Sequence, residues 1–166
     1  MDRRELFTSF LKPSKEKKQD NQGAVVRPPY FNNLDSFYKE CIECDGICST
    51  LCEENIIIIG EDKTPYIDFK FGGCTYCDEC AKGCPKDVLS LEDKKNINVG
   101  IEINMLECLS WNNTMCFSCK DPCLDDAIIF TAMFKPFIDE NKCTSCGFCI
   151  SRCPSEAIKI GEKDGS

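Results

Sequence analysis

Residues 143–154 read CTSCGFCISRCP and have the spacing C-x2-C-x2-C-x3-C-P. Residues 74–85 repeat this spacing without a mismatch. Three thiolates two residues apart can wrap a short loop around one 4Fe–4S cluster, and a fourth thiolate three residues later completes such a run. The final proline lacks a backbone N–H, which suits the first position of a helical turn. The spacing therefore predicts iron–sulfur sites.

Two irregular runs complete the set, one spaced x2, x3, x3 and the other x7, x2, x3. In chain order the four runs are Cys41, Cys44, Cys48 and Cys52 (run 1); Cys74, Cys77, Cys80 and Cys84 (run 2); Cys108, Cys116, Cys119 and Cys123 (run 3); and Cys143, Cys146, Cys149 and Cys153 (run 4). These runs use all 16 cysteines of the chain. We predict four 4Fe–4S clusters per chain.

Two other uses of cysteine are considered. A disulfide scaffold is disfavoured because no secretory apolar segment is recognised and because cysteines so close in sequence suit chelation better. A structural zinc protein remains an alternative, although zinc sites usually separate two C-x2-C knuckles by a longer loop. The chain has no histidine, which excludes Rieske centres, C-x-x-C-H haem attachment and histidine-based catalysis.

The charge and hydropathy restrict the partners. The formal net charge is −8, and clusters held by thiolates add negative charge, so nucleic acid is not an expected partner. No apolar run reaches the roughly 18 residues that a membrane span needs. We expect a cytoplasmic protein, because that compartment keeps thiols reduced.

Repeated phrases predict the fold. The residues five and seven positions after each fourth cysteine are apolar, which predicts a half-buried strand after a single helical turn. The phrases PYID at residues 65–68 and PFID at 136–139 predict strands that enter runs 2 and 4. Because these features recur about 70 residues apart, we predict an α+β fold that is a tandem duplication of a two-cluster bacterial ferredoxin-like unit. Such small units depend on their clusters for stability.

The predicted organisation has four parts. Residues 1–30 form a basic N-terminal segment, 31–91 the first two-cluster unit, 92–107 a connector with a strand at 97–103, and 108–166 the second unit. A helix with core-facing Phe31, Leu34, Phe37 and Tyr38 is expected to lead into run 1. Phe69 and Phe71 are expected to shield the clusters from water.

In two-cluster ferredoxins the fourth cysteine of each run serves the other cluster. Likeness to them implies four crossed ligand sets, here called quartets. They are Cys41, Cys44, Cys48 and Cys84 (quartet 1); Cys74, Cys77, Cys80 and Cys52 (quartet 2); Cys108, Cys116, Cys119 and Cys153 (quartet 3); and Cys143, Cys146, Cys149 and Cys123 (quartet 4). A cluster held by its own run alone is the alternative.

The chain resembles the ferredoxin-type NapF accessory proteins of periplasmic nitrate reductase systems. The resemblance rests on Arg3-Arg4-x-Leu6-Phe7, on Arg27-Pro28-Pro29 followed by Tyr30, on the four runs, and on the spaced run 3 with Ala127-Ile128-Ile129-Phe130 after it. One departure is the extra residue between Cys44 and Cys48.

The resemblance implies a cytoplasmic protein with four 4Fe–4S clusters. Its partner would be the molybdenum-containing catalytic subunit, in its precursor form, which the protein would help to mature or supply with electrons. An enzyme is not expected, because the chain has no Gly-rich phosphate loop, flavin fingerprint or three-cysteine site. A general polyferredoxin that serves another redox complex is the alternative function.

The first 27 residues contain seven Lys/Arg and four Asp/Glu. We hypothesise that an aliphatic and aromatic face here docks onto the partner, with apolar burial and charge pairing as the driving forces. Its residues are Arg3, Arg4, Leu6, Phe7 and Phe10. The alternative is that Phe7 and Phe10 cover the protein's own core.

Overall fold

The computed structural model of the protein describes residues 25–161. Its short α-helices are α1 (Asp35–Glu40), α2 (Ile47–Thr50), α3 (Glu79–Lys82) and α4 (Phe148–Ser151), and 3-10 turns lie at Cys41–Glu43 and Leu91–Asp93. Its strands are β1 (Ile57–Ile59), β2 (Pro65–Ile67), β3 (Gly100–Ile103), β4 (Ile128–Thr131), β5 (Phe134–Ile138) and β6 (Ile158–Gly161). Within this range no helix has the length and apolar character needed to cross a membrane. The residues of the docking hypothesis (Arg3, Arg4, Leu6, Phe7 and Phe10) lie outside it.

Two antiparallel hairpins connect the runs. Strands β1 and β2 lie between runs 1 and 2, with Ile57 opposite Ile67. Strands β4 and β5 lie between runs 3 and 4, with Ile128 opposite Ile138 and an irregularity after Phe130. The strands predicted from PYID and PFID are therefore present as β2 and β5.

The two hairpins close in the same way. The N–H of Asp68 donates to the carbonyl oxygen of Ile56, and the N–H of Asp139 donates to that of Ala127, both at 2.8 Å. These bonds fasten the chain just before it enters runs 2 and 4. The PYID and PFID phrases thus end on equivalent backbone contacts.

The third sheet joins β3 to β6, with Ile101 opposite Ile160. The strand predicted over residues 97–103 is shorter than expected and begins at Gly100. Two side chains hydrogen-bond to backbone groups that a longer strand would use for pairing. Tyr76 Oη accepts a hydrogen bond from the N–H of Ile97 at 3.1 Å, and Ser145 Oγ donates one to the carbonyl oxygen of Val99 at 2.7 Å. Ile97 and Val99 are nevertheless buried.

A turn that ends on a left-handed residue follows every fourth cysteine. The residue three positions later donates its N–H to the cysteine carbonyl oxygen and has a positive φ between 49° and 54°. These residues are Asn55, Asp87, Asp126 and Glu156. The predicted helical turn is thus present as a single i→i+3 hydrogen-bonded turn, whereas the α-helices α2, α3 and α4 precede the fourth cysteines of runs 1, 2 and 4. Asn and Asp tolerate this conformation well, which explains three of the four residues.

The burial pattern after these turns differs from the prediction. The buried residues stand four and five positions after the fourth cysteine, because the left-handed residue turns the chain inward. They are Ile56 and Ile57, Val88 and Leu89, Ala127 and Ile128, and Ala157 and Ile158. Residues 85–91, directly after run 2, form no strand: Leu91 is 47 % exposed, and the N–H of Ser90 donates to the carbonyl oxygen of Tyr30 at 2.7 Å.

Helix α1 buries a narrower face than predicted. Phe37 is fully buried and meets the Phe31 ring edge-on, with ring centroids 5.2 Å apart. Leu34 and Tyr38 are each about half exposed, so the prediction that all four residues pack into the core is wrong. A six-residue helix presents only one apolar position per turn to the core.

Candidate iron–sulfur sites

Four cavities lie along the molecule, and four cysteines line each of them. One is lined by Cys41, Cys44, Cys48 and Cys84, the second by Cys52, Cys74, Cys77 and Cys80, the third by Cys108, Cys116, Cys119 and Cys153, and the fourth by Cys123, Cys143, Cys146 and Cys149. The structure thus brings together all 16 cysteines in sets of four.

Each cavity takes three cysteines from one run and the fourth cysteine from another. Cys84 of run 2 lines the cavity of run 1, and Cys52 of run 1 lines the cavity of run 2. Cys123 and Cys153 are exchanged in the same way between runs 3 and 4. This grouping coincides with quartets 1 to 4, while the ligand assignment itself stays a prediction.

The loops of runs 2 and 4 have the same backbone form. Tyr76 (φ 54°) and Asp78 (φ 70°) in run 2 correspond to Ser145 (φ 59°) and Gly147 (φ 86°) in run 4. Left-handed residues within a loop turn successive N–H groups toward one concave side, an arrangement that favours anions and is used at Fe–S sites. The loops are therefore suited to an anionic cluster.

Burial makes several of the thiols that line these cavities weak acids, with raised pKa values. Burial, with a smaller contribution from neighbouring thiols, raises the pKa of Cys80 to about 12 and that of Cys48 to about 11. Burial likewise raises the pKa of Cys119 to about 12 and that of Cys74 to about 11. These four thiols are thus neutral until a metal displaces their protons.

The spacing of the cysteines distinguishes a cluster from a single ion. Within residues 25–161, no three cysteine or carboxylate side chains come close enough to hold one metal ion. The cysteines of each set instead lie around a common cavity, as thiolates around a cube of iron and sulfide must. The donor set and its spacing fit a 4Fe–4S cluster and disfavour a single zinc ion.

Asn112 organises the long x7 segment of run 3. Its side-chain Nδ2 donates to the carbonyl oxygens of Met105, Leu106 and Cys108, at 3.3, 3.1 and 2.8 Å. The neighbouring Trp111 Nε1 donates to the carbonyl oxygen of Pro136 at 3.0 Å. The extra residues thereby fold into a compact loop that keeps Cys108 beside Cys116 in the third cavity.

The same loop carries an unpartnered hydroxyl. Ser110 lines the third cavity and is 1 % exposed. Its Oγ is the one buried side-chain nitrogen or oxygen within residues 25–161 that has no hydrogen-bond partner. An unpaired buried hydroxyl costs about 1–3 kcal/mol, and the sulfur atoms of a bound cluster would accept its hydrogen bond. This orphaned donor is a further sign that the cavity fits the cluster.

Arg27 is a site residue whose role the sequence did not reveal. It is 7 % exposed, and its guanidinium lies 4.8 Å from the centre of the Phe37 ring. Burial raises the pKa of Cys41 to about 11, and the positive charge of Arg27 acts in the opposite direction. A buried cation close to quartet 1 stabilises negative charge there. Only its place before Pro28-Pro29 marked it in the sequence.

The aromatic shielding differs between the two phenylalanines expected to provide it. Phe69 is buried, and a Cβ atom placed on Gly147 beside the fourth cavity would overlap its ring. Phe71 is 83 % exposed, so its predicted shielding role is wrong. The chain has already turned outward at Phe71 before it enters run 2.

Comparison with known proteins identifies the family. Residues 136–159 match the model of the 4Fe-4S binding domain. The ferredoxin-type protein NapF of Escherichia coli K12 is 31% identical over 137 residues, which cover 80% of this chain and 82% of that protein. The chain belongs to the NapF family of ferredoxin-type proteins. NapF of Haemophilus influenzae is 29% identical over 151 residues, covering 89% of this chain and 85% of that protein.

A more distant relative carries a different name. The methylamine utilization ferredoxin-type protein MauM of Methylophilus methylotrophus is 27% identical over 169 residues, covering 89% of this chain and 74% of that protein. All three relatives are named as ferredoxin-type proteins and none as an enzyme. The chain is thus an iron–sulfur protein of ferredoxin-like type with mixed helix and strand, as its cysteine runs predicted.

Proposed function

We propose that this chain holds four 4Fe–4S clusters and serves the molybdenum-containing catalytic subunit of a periplasmic nitrate reductase as a cytoplasmic accessory protein. The observation that carries the proposal is the set of four cavities, each lined by four cysteines, in a chain of the NapF family. The protein would assist maturation of the catalytic-subunit precursor or supply electrons to it. We propose no catalysis by the chain itself.

The ligands of the four clusters are quartets 1 to 4. Thiolates are the ligands that 4Fe–4S clusters require, and each quartet already faces one cavity. Fourth cysteines that cross between runs tie two loops to one another, so each pair of clusters stabilises a common fold. The buried thiols and the orphaned Ser110 hydroxyl support this assignment.

The fold is proposed to be a tandem duplication of a two-cluster unit. The supporting features are the two hairpins, the equivalent closing bonds of Asp68 and Asp139, and the exchange of fourth cysteines within runs 1 and 2 and within runs 3 and 4. The proposed units are residues 31–91 and 108–166, joined by residues 92–107 and preceded by the basic segment 1–30. Strand β3 of the connector completes the second unit by pairing with β6.

The proposed partner surface combines charge of two signs. The chain as a whole is acidic, with a net charge of −8, whereas the docking residues include Arg3 and Arg4. Charged residues of this kind speed the encounter of two proteins and set the orientation in which they bind. The aromatic and aliphatic residues provide the apolar area that is buried on binding. A precursor with an acidic patch and an apolar cleft would fit the N-terminal segment.

The test measures cofactor content and partner binding separately. The anaerobically reconstituted chain should contain about 16 iron and 16 acid-labile sulfide per polypeptide, as four clusters require. It should co-purify with the precursor of the catalytic subunit and raise the fraction that acquires its own cofactors. Four clusters without any effect on the precursor would refute the accessory role.

A general electron carrier is the second candidate, favoured by the similarity to a protein named for methylamine utilization. This alternative predicts reversible one-electron exchange with several redox partners and no preference for the precursor. Deleting the gene and measuring nitrate reductase maturation distinguishes the two roles, because a general carrier can be replaced by another ferredoxin.

A further inference from the structure

The exchange of fourth cysteines fixes two neighbour relationships among the quartets. Quartets 1 and 2 share runs 1 and 2, and quartets 3 and 4 share runs 3 and 4. Helices α2 and α3 meet so closely that a Cβ atom on Gly83 would overlap the Leu51 side chain. Each shared pair of runs therefore holds its two sites side by side.

A separate set of contacts joins run 2 to run 4. The N–H of Cys74 donates to the carbonyl oxygen of Cys146 at 2.6 Å, and Tyr76 Oη donates to the carbonyl oxygen of Thr144 at 2.5 Å. Cys74 belongs to quartet 2 and Cys146 to quartet 4, so a single backbone hydrogen bond connects ligand residues of two sites.

Two glycines allow this close approach. A Cβ atom on Gly73 would lie 2.5 Å from the backbone nitrogen of Phe148, and one on Gly147 would overlap the Phe69 ring. Within residues 25–161, no hydrogen bond joins run 1 to run 3. Contact between the two pairs of runs is thus concentrated where quartets 2 and 4 meet.

We infer that the four sites form a line in the order 1–2–4–3, with the contact of Cys74 and Cys146 at the junction between the pairs, and that Gly73 and Gly147 are positioning residues for this junction. The inference rests on the proposed four clusters. One-electron transfer along the line balances within the protein, since one site is oxidised as its neighbour is reduced and no bond is made or broken. Quartets 1 and 3 are then the terminal sites at which external redox partners exchange electrons.

Spin coupling tests the order in the reconstituted full-length protein. Four variants, each aimed at one quartet, carry Cys44→Ala, Cys77→Ala, Cys116→Ala or Cys143→Ala. A second cysteine of the same quartet is replaced wherever iron analysis shows that a three-iron cluster is retained. After full reduction, EPR spectra reveal which of the remaining clusters still have a paramagnetic neighbour.

The linear order makes an asymmetric prediction. Removing an internal site, by Cys77→Ala or Cys143→Ala, should leave one terminal cluster with an unsplit, slowly relaxing signal. Removing a terminal site, by Cys44→Ala or Cys116→Ala, should leave three coupled clusters and no isolated signal. An isolated signal in either terminal variant, or none in both internal variants, would overturn the order. Failure of the proposed cluster content is distinguished because it appears earlier, as fewer than four clusters in the unmodified chain, and failure of the accessory role appears only in the assay with the precursor.

The junction has a matched pair of variants one residue apart. Gly73→Ala should weaken the coupling between the clusters at quartets 2 and 4. Gly72→Ala should not, since the three atoms nearest to a Cβ atom there belong to Glu54 and Ile56, with Glu54 Oε2 at 3.1 Å. Tyr76→Phe removes the bond to Thr144, together with the bond accepted from Ile97, without adding volume. It provides a second measurement if Gly73→Ala does not fold. Unchanged coupling in the folded variants would show that this contact does not set the coupling between the sites at quartets 2 and 4, and Gly73 would not be a positioning residue.

The orphaned hydroxyl of Ser110 carries a second, independent inference. We propose that Ser110 Oγ donates a hydrogen bond to a sulfur atom at quartet 3 and raises the reduction potential of that site. Hydrogen bonds to cluster sulfurs stabilise the more negative, reduced state. Ser118 and Ser155 line the same cavity, with their hydroxyls 3.7 Å from Cys116 Sγ and Cys153 Sγ. Quartet 3 thus has a more hydroxyl-rich lining than quartet 1.

The test replaces one hydroxyl at a time in the reconstituted protein. Ser110→Ala should lower one midpoint potential, with unchanged iron content, and should remove an exchangeable deuteron from the pulsed EPR spectrum of that cluster. Ser49→Ala is the control, because Ser49 Oγ is already engaged with the carbonyl oxygen of Ile57 at 2.6 Å. A merely structural role would reduce stability without moving a potential. Unchanged potentials and an unchanged deuteron signal would refute the inference.

Discussion

The Nη1 atom of Arg27 lies 2.6 Å from the carbonyl oxygen of Pro65 and donates a hydrogen bond to it. A second bond from Nη1 reaches Thr64 Oγ1 at 2.7 Å. These bonds fasten the segment that precedes α1 to the start of β2, over the buried Phe37 ring. A buried guanidinium requires such partners, because desolvation of an unpaired charge is costly. The same cation lies close enough to Cys41 to influence its pKa.

Replacement of this cation should change both stability and potential. Arg27→Gln is expected to lower the free energy of unfolding by about 2 kcal/mol, through the loss of charge-assisted hydrogen bonds. It should also make the potential of the cluster at quartet 1 more negative, because a nearby positive charge favours the reduced state. EPR-monitored redox titration measures this shift. Lys39→Gln, which removes an exposed charge from α1, is the control and should leave the potential unchanged.

The crossed ligand sets predict reciprocal damage. Cys84→Ala should remove the EPR signal of the cluster at quartet 1, although Cys84 belongs to run 2. Cys52→Ala should remove that of quartet 2, although Cys52 belongs to run 1. Loss of the cluster of its own run in each variant would show that the fourth cysteines do not cross. The spectra should be recorded on freshly reconstituted protein, before coupled unfolding spreads the damage.

Helix α1 gives a direct comparison of buried and exposed apolar residues. Phe37→Ala should lower the free energy of unfolding by about 3–5 kcal/mol, the usual result of emptying a buried aromatic site. Leu34→Ala should change it by less than about 0.5 kcal/mol, because Leu34 lies on the surface. Anaerobic denaturant titration of the cluster-loaded protein measures both. Equal effects would contradict the burial pattern of the helix.

The sequence predicted the parts of the fold that depend on local spacing. The cysteine runs indicated the sites, and PYID and PFID indicated β2 and β5, because chelation and strand alternation are both read over a few residues. The missed features depend on the conformation of single residues. Asp87 adopts a left-handed conformation, and the buried residues after it are therefore Val88 and Leu89. A pattern of hydrophobic residues does not show which residue has a positive φ, so this change could not be predicted.

Contacts between distant segments were also beyond sequence patterns. The bond from Cys74 to Cys146 joins residues 72 positions apart, and nothing in either run specifies the other as its neighbour. Arg27 lies where a polar segment of the sequence gives way to Pro28-Pro29. This pattern predicts an extended chain and does not indicate that the Arg27 side chain is buried. Ser110 lies in the seven-residue spacer of run 3, of which the cysteine pattern gives only the length. The structure is needed to show that the Ser110 hydroxyl lines the third cavity.

Acid should release the clusters. Burial raises the pKa of Cys80 and Cys119 to about 12, so protons compete strongly with iron for these thiolates, and cluster loss should accelerate as the pH falls from about 8 to about 5.5. In the cluster-free protein the raised pKa values of these two thiols change the stability of the fold at alkaline pH. Their contribution to the free energy of unfolding is complete below pH 9 and is lost as the pH rises toward 12, because the thiols of the unfolded chain release their protons first. Visible absorbance at constant ionic strength follows the loss, and a rate independent of pH would contradict the prediction.

The N-terminal segment provides the test of partner recognition. Replacing Arg3, Arg4, Leu6, Phe7 and Phe10 together by alanine should weaken co-purification with the catalytic-subunit precursor at least about thirty-fold, since docking aromatic residues each contribute about 2 kcal/mol or more. Iron content and EPR spectra should not change. The control replaces Lys12, Lys15, Lys17 and Lys18, which removes four positive charges without removing the apolar face. If the five substitutions instead speed cluster loss in air and leave binding intact, Phe7 and Phe10 cover the protein's own core and the docking hypothesis is wrong.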